Sequence, residues 1–387
     1  MSKPSVFICF GTRPEAIKMA PVVHAFLSDP DIETKVILTA QHREMLDQVM
    51  ELFKLPCHYD FNIMAPRQTL SFITQSVLER FSELLLQEKP SMVLVHGDTS
   101  TTFACALASF YQGIPVAHVE AGLRSGDMQN PFPEEMNRKL ADALCTYFFP
   151  PTYLASQNLQ KEAISGKQVM VTGNTVVDAL QMVLNKQTSI PAQSPLPTMD
   201  PSLKTILMTM HRRESWGEPM LQVSEAVRDI LLAFPNTQLL FPVHKNPIVR
   251  ELVQKVFHDL PRVHLIEALD YYHFVQAMKS SYLIISDSGG IQEEAPSLGK
   301  PVLLTRKVTE RPEGIQSGIV QLAGTNYSQV YDALKNLIQN HQLYSSMQSI
   351  ANPFGDGKAS QRIVRFVRHQ LGLPVSSWNQ ESEEFRA

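Results

Sequence analysis

Val6-Phe7-Ile8-Cys9-Phe10-Gly11-Thr12-Arg13-Pro14-Glu15 sets a short apolar run against a glycine bend and the start of a helical pattern that continues to Leu27. Two more polar clusters, His96-Gly97-Asp98-Thr99 and Glu120-Ala121-Gly122-Leu123-Arg124, follow apolar runs in the same way. In a parallel α/β sheet the carboxyl ends of the strands share one rim, so carboxylates and arginines distant in sequence converge there.

Apolar runs of strand length alternate with helix-period segments almost from end to end, as a doubly wound sheet requires. Strands are expected to begin near Val6, Lys35, Met92, Val116, Tyr147 and Val169, with helices over Glu15 to Leu27, Leu70 to Gln87, Thr101 to Gln112 and Glu134 to Leu144. A chain of 387 residues exceeds what one core supports, so two domains are expected. From Ser189 to Ser202 the periodicity stops among prolines at 191, 195, 197 and 201, which reads as a semi-rigid linker between a domain over 1–188 and another over 203–357. Thr205 to Met210, Gln238 to Val243, Val263 to Ile266, Tyr282 to Ser286 and Pro301 to Thr305 then repeat the alternation, so the second domain is also read as Rossmann-type. The polar, acidic tail after Pro374 is expected to fray.

A net charge of −4 with mixed signs, and no basic block, argue against a nucleic-acid or anionic-membrane partner. No apolar stretch approaches the ~20 residues of a membrane span, which leads to the expectation of a soluble, cytoplasmic protein. Cys9, Cys57, Cys105 and Cys145 are scattered without a Cys-x-x-Cys pair and are read as small core residues.

Ser286-Asp287-Ser288-Gly289-Gly290-Ile291-Gln292-Glu293-Glu294 reads as a strand end and a helix start, with two glycines that let backbone N–H groups approach an anion. Glu294 then lies about 7 Å along that helix, roughly the offset from a phosphate to its ribose. The plainer alternative is that Ser288 caps the helix and the glutamates complement its positive end. His211-Arg212-Arg213 and His244-Lys245 follow two strands and bring cationic groups to the same rim, with Arg311 beyond Thr305; surface pairing of Arg212 with Glu214 is the bland reading. Asp98, taken alone, reads as the N-cap of a helix starting at Thr99. Glu120, between an apolar run and Ala121-Gly122, has little solvent-facing reason to be there. Glu134 and Arg138 share one helix face. Gly11 permits a tight bend, but G-x-G-x-x-G is missing, which disfavours a dinucleotide such as NAD. His96-Gly97-Asp98 is similar to a metallophosphatase motif, yet no second ligand-spaced set accompanies it, so neither cofactor nor metal is expected.

FGTRPEAIKMAP, VHGDTSTT, HVEAGLRSGD, PFPEEMNR, VTGNTVVDAL, MHRRE, PVHKNP, SDSGGIQEEAPSLGKPVL and TERPEG together closely resemble the non-hydrolysing UDP-N-acetylglucosamine 2-epimerases, from about Phe7 to about Val367. The resemblance implies two Rossmann-like doubly wound domains facing across a cleft, the glycosyltransferase B-type fold, with the segment 358–387 crossing back to the first domain. It places Asp98, Glu120 and Glu134 at acid/base positions with His211 and Arg13 near the reacting sugar. Lys18, Arg138, His244, Ser288, Gly289, Gly290, Glu294 and Arg311 would contact the nucleotide. Gln41, Glu44, Arg67, Glu135, Arg212 and His244 match a regulatory site where UDP-N-acetylglucosamine binds as activator, although some members have glutamine at the position of Glu44. Ser215-Trp216 stands where Asn-Leu is frequent. A homodimer is implied as well.

Carbon 2 of an N-acetylhexosamine has no neighbouring carbonyl on the ring, so direct proton abstraction faces a prohibitive barrier. Departure of UDP from carbon 1 acidifies it and opens a route through a glycal, with proton transfer on both sugar faces. Several carboxyl groups from separate loops suit that scheme. At this stage a hydrolysing epimerase that releases UDP and N-acetylmannosamine, a glycosyltransferase and a non-catalytic nucleotide-sugar sensor stay open.

Overall fold

The computed structural model describes residues 3–41, 43–65, 67–186 and 194–387. The chain forms two compact units: Met1–Met182 with Phe354–Ala387, and Val183–Pro353. The division falls inside the helix Thr175–Asn185, and residues 189–193 of the expected linker lie outside the described residues.

Unit 1 contains β1 (Ser5–Phe10), β2 (Glu33–Leu38), β3 (Tyr59–Asp60), β4 (Met92–His96), β5 (Val116–Val119) and β6 (Tyr147–Phe149), in the spatial order β3-β2-β1-β4-β5-β6. Unit 2 contains β7 (Lys204–Thr209), β8 (Thr237–Pro242), β9 (Val263–Ile266), β10 (Leu283–Ser286), β11 (Val302–Leu304) and β12 (Val320–Leu322), in the order β12-β11-β10-β7-β8-β9. Every pairing is parallel. Numbered within its own unit, each sheet has the Rossmann order 3-2-1-4-5-6. Strand order therefore reverses between β1 and β4, paired Val6 to Met92, and between β7 and β10, paired Ile206 to Leu283. Ligands of open α/β sheets bind outside the carboxyl ends of the strands at such reversals.

The central strands explain the continuous apolar runs. A parallel strand covered by helices on both faces has no solvent side, and Val6 to Phe10 are accordingly fully enclosed. Helix Ser100–Tyr111 presents Ala104, Cys105, Ala106 and Ala108 to the same core, small residues that let it lie close to the sheet.

Four expectations are corrected. Val169 starts no strand and makes a single bridge to Phe148, while the sixth strand of unit 1 is the two-residue β3, too short to leave an apolar run. β12 was not anticipated either, because Gln321 and the exposed Leu322 dilute its pattern. Cys57 is exposed and Cys145 half-buried, so only Cys9 and Cys105 are core residues. The tail does not fray: Phe385 N–H donates to Val171 O at 2.9 Å, Arg365 Nη2 reaches Glu383 Oε1 at 2.6 Å, and Trp378 packs against Phe366 and His369. Its polar residues conceal two aromatic anchors. Among the described residues no helix is long and apolar enough to cross a membrane.

Phe366, on the helix Ala359–Gln370, is wholly buried and meets Phe149 edge-on at 5.1 Å and Tyr147 at 5.6 Å. Phe366→Ala is expected to destabilise the protein by about 3–5 kcal/mol, measured by denaturant unfolding, through lost burial plus the cavity left behind.

Candidate active site

At the carboxyl ends of β1, β4 and β5 the backbone turns in little space. A Cβ on Gly11 would stand 1.9 Å from Thr39 Oγ1, so only glycine passes there. Glu15, in the first turn of helix Arg13–Leu27, bends back: its Oε2 accepts from Gly11 N–H at 3.1 Å, Thr12 N–H at 2.9 Å and the Thr12 hydroxyl at 2.8 Å. Its Oε1 accepts from the Thr99 hydroxyl at 2.7 Å, which ties the loop after β1 to the loop after β4. Burial lifts the Glu15 carboxyl above the usual range, with these hydrogen bonds pulling against it.

The cap of helix Ser100–Tyr111 is Thr99, whose hydroxyl accepts from Thr102 N–H at 3.1 Å; the expected Asp98 cap is thereby corrected. A hydroxyl one residue closer to the helix does that task and leaves the Asp98 carboxylate to accept from Arg138 Nη2 at 2.5 Å. Arg138 Nη1 also lies 3.2 Å from Glu135 Oε2. Glu135, wholly enclosed, accepts from Ser125 N–H at 3.0 Å and Gly126 N–H at 3.1 Å.

Glu120 follows β5 with φ of 65°, a left-handed conformation that costs a residue with a Cβ roughly 1–2 kcal/mol. That turn points the carboxylate inward. Glu120 is 7% exposed, ion-paired with Lys18, and accepts from Asn174 Nδ2 at 2.7 Å. His96 Nε2 stands 3.9 Å from the same oxygen. Neither nitrogen of that buried ring has a hydrogen-bond partner among the described residues. Burial pulls the His96 imidazole down to about 4 against the opposing pull of Glu120, so the ring is neutral near pH 7. Arg13 and Glu134 each begin a helix and are half-buried.

In unit 2, helix Gly289–Glu294 follows β10, and its cap Ser288 makes no side-chain capping bond, contrary to the plainer reading of that serine. A Cβ on Gly289 would come 2.6 Å from Arg311 Nη1, so glycine lets the guanidinium lie over the helix start. Arg311 Nε donates to Glu293 Oε1 at 2.5 Å and its Nη1 to Glu310 Oε1 at 2.9 Å. Glu310 also draws Arg306 at 2.7 Å and Arg212 at 3.4 Å. Burial alone would raise the Glu310 carboxyl; Arg311, Arg306 and Arg212 outweigh it and bring it to about 2. Asp287, fully enclosed, accepts from His211 N–H at 3.1 Å, Arg212 N–H at 3.0 Å and the Ser215 hydroxyl at 2.8 Å. Burial opposes its ionisation, but these bonds and the His211 ring hold it below the usual carboxylate range. The His211 side chain stays 47% exposed, with Nδ1 3.1 Å from Asp287 Oδ1. His244 Nδ1 accepts from Asn246 N–H at 3.2 Å, which leaves Nε2 to carry the ring hydrogen, and its ring lies 5.7 Å from that of Trp216. Glu294 Oε1 accepts from the Tyr271 hydroxyl at 2.6 Å.

Of the residues singled out from sequence, Arg13, Lys18, Gln41, Glu44, Arg67, Asp98, Glu120, Glu134, Glu135 and Arg138 belong to unit 1, and His211, Arg212, His244, Ser288, Gly289, Gly290, Glu294 and Arg311 to unit 2. Bonds join Lys18 to Glu120, Asp98 to Arg138 and Glu135, and Arg212 to Arg311 through Glu310. Arg212 also makes the expected contact with Glu214, at 3.4 Å. Glu44 and Arg67 are exposed, and Gln41 offers its carbonyl to Gln68 Nε2 at 2.9 Å. Sequence reasoning gave no role to His96, Asn174, Asp287 or Glu310. His96 and Asp287 sit inside the polar clusters that follow strands, which was a signal available for them; the arginines around Glu310 converge only in three dimensions.

Two parallel sheets of Rossmann order with polar rims at their strand reversals define a doubly wound α/β protein. At the level of fold alone, the chain matches a lipopolysaccharide outer core galactosyltransferase, with a TM-score of 0.55, 12% identity and 95% of this chain and 99% of that one covered. The family model described as UDP-N-acetylglucosamine 2-epimerase matches residues 24–368, and the chain belongs to that family. It is 48% identical to the UDP-N-acetylglucosamine 2-epimerase of Escherichia coli K12 over 94% of this chain and 98% of that protein. It is 49% identical to that of Bacillus subtilis 168, over 96% and 97%. Among solved structures, the Neisseria meningitidis enzyme bound to UDP-GlcNAc superposes with a TM-score of 0.88 at 46% identity, covering 94% of this chain and all of that one (100%).

His96 also makes stability depend on pH. Its folded-state value lies below the ordinary one near 6.5, so the unfolded chain binds more protons between pH 6.5 and 4 and stability falls as pH falls through that window. Urea unfolding of the native protein should lose on the order of 3 kcal/mol more across it than His96→Gln does.

Proposed function

We propose that this chain interconverts UDP-N-acetylglucosamine and UDP-N-acetylmannosamine as a non-hydrolysing 2-epimerase. The observation that carries the reading is the pair of carboxylates Glu120 and Asp98, each held by a cation at the carboxyl ends of adjacent strands, with Glu120 in a left-handed backbone conformation. Two such groups suit two proton transfers.

In the proposed reaction the carbon 1–oxygen bond breaks, its electron pair leaves with UDP, and the proton at carbon 2 passes to a carboxylate as a carbon 1–carbon 2 double bond forms. Return of a proton to the opposite face of carbon 2 and re-addition of UDP at carbon 1 give the epimer, with atoms and charge balanced. Asp98, Glu120 and Glu134 serve as the proton-transfer groups, with Arg13 and His211 beside the sugar. In support of nucleotide binding by unit 2, the uncapped start of helix Gly289–Glu294 and the Arg311 guanidinium offer donors to a diphosphate, and His244 Nε2 presents a further N–H. Glu294, Lys18 and Arg138 complete the nucleotide contacts on the strength of the family resemblance. An activating UDP-N-acetylglucosamine at Gln41, Glu44, Arg67, Glu135, Arg212 and His244 belongs to the same reading, as do the homodimer and the cytoplasmic setting.

Turnover in deuterated water should place deuterium at carbon 2 of the epimerised sugar, followed by NMR; retained protium there would contradict elimination and re-addition, and accumulation of free N-acetylmannosamine with UDP would point to the hydrolysing reaction. Asp98→Asn, Glu120→Gln and Glu134→Gln should each lower kcat by at least about 100-fold in the same assay. Near-normal activity in all three would remove the assignment.

A further inference from the structure

His118 lies inside β5 and is wholly enclosed, so it touches no ligand. Its Nδ1 stands 2.6 Å from Asp142 Oδ1 and its Nε2 2.8 Å from the Gly97 carbonyl oxygen. The two contacts hold the imidazole between the Asp142 carboxylate on one side and the Gly97 carbonyl on the other. Asp142 is kept ionised: Arg124 Nη2 donates to its Oδ2 at 2.6 Å, and Arg124 in turn meets Glu162 at 2.9 and 2.6 Å. Burial alone would raise the Asp142 carboxyl, but His118 and Arg124 hold it below the usual range. From the exposed Glu162 through Arg124 and the enclosed Asp142 to His118, a chain of hydrogen bonds thus runs inward and ends on the Gly97 carbonyl.

That carbonyl precedes Asp98. Gly97 stands at φ of 69° with its N–H on Val119 O at 3.0 Å, and the Asp98 carbonyl accepts from Asn137 Nδ2 at 2.9 Å. We infer that His118 is a positioning residue: through the Gly97 carbonyl it fixes the direction in which the Asp98 carboxylate leaves the loop after β4. The inference rests on the reading of Asp98 as a proton-transfer group. Arg138 holds the far end of that carboxylate, whereas the Gly97 carbonyl fixes the backbone from which it leaves.

The test compares His118→Asn and His118→Gln with Asp142→Asn, Asp98→Asn and the double variant His118→Asn/Asp98→Asn. The glutamine amide reaches the place of Nε2 and keeps the bond to Gly97; the asparagine amide reaches only the place of Nδ1. Asp142→Asn leaves the imidazole in place but withdraws the carboxylate that anchors its ring to Arg124. His118→Asn and Asp142→Asn should lower kcat about 100-fold with KM nearly unchanged, the scale of an ångström of misplacement. His118→Gln should recover about tenfold of that loss at equal melting temperature, and His118→Asn should add nothing to Asp98→Asn. Loss that tracks only melting temperature, equal for asparagine and glutamine, overturns the positioning role, as does normal kcat in Asp142→Asn, even if His118→Asn fails to fold. Near-normal turnover in Asp98→Asn overturns the reading of Asp98 and the inference with it, whereas an inactive Asp98→Asn beside an unaffected His118→Asn overturns the inference alone.

Discussion

In each unit one enclosed carboxylate ties together the two loops that flank the reversal of strand order. Glu15, after β1, binds the N–H groups of its own loop and the Thr99 hydroxyl after β4. Asp287, after β10, binds the N–H groups of His211 and Arg212 and the Ser215 hydroxyl after β7. The point of reversal is where neighbouring helices leave opposite faces of the sheet, so the two loops have no helix packing of their own to hold them together. A buried carboxylate that accepts several hydrogen bonds supplies that link, and its desolvation is tolerable only because every bond is made.

The same requirement shapes the proposed catalytic groups. Glu120 and Asp98 are enclosed or half-enclosed acids, and each has a cation, Lys18 and Arg138, close by. In unit 2 the order is inverted: the clustered groups are cations, and the acid Glu310 gathers Arg212, Arg306 and Arg311. An arginine cluster without such an acid would repel itself apart before an anionic ligand arrived. Preformed pairs of this kind orient their members and lower the reorganisation needed when a charged substrate binds.

How far sequence reaches differs by residue. Glu120 was legible because a carboxylate between an apolar run and Ala121-Gly122 has no ordinary structural reason. Asp98 was legible only with its motif, since by itself it reads as a helix cap, and which of Asp98 and Thr99 caps the helix is decided by backbone geometry. Arg124 was read with the polar cluster after an apolar run, and it serves Asp142 and Glu162. His118 and Asp142 lie on different elements, and their pairing exists only once β5 and helix Glu134–Leu144 pack together.

The amino-acid sequence by itself determined the alternation of strands and helices, the Rossmann class of both halves and the polar loops at the strand ends, because burial on both faces leaves uninterrupted apolar runs and strand ends collect polar residues. Only the tertiary structure decided the partners: which acid meets Lys18, which cation meets Asp98, what holds Gly97, and that the polar tail is pinned by Trp378 and Phe385. Hydrogen bonds and ion pairs depend on distances of a few tenths of an ångström between residues far apart in the chain, and no local pattern encodes those distances.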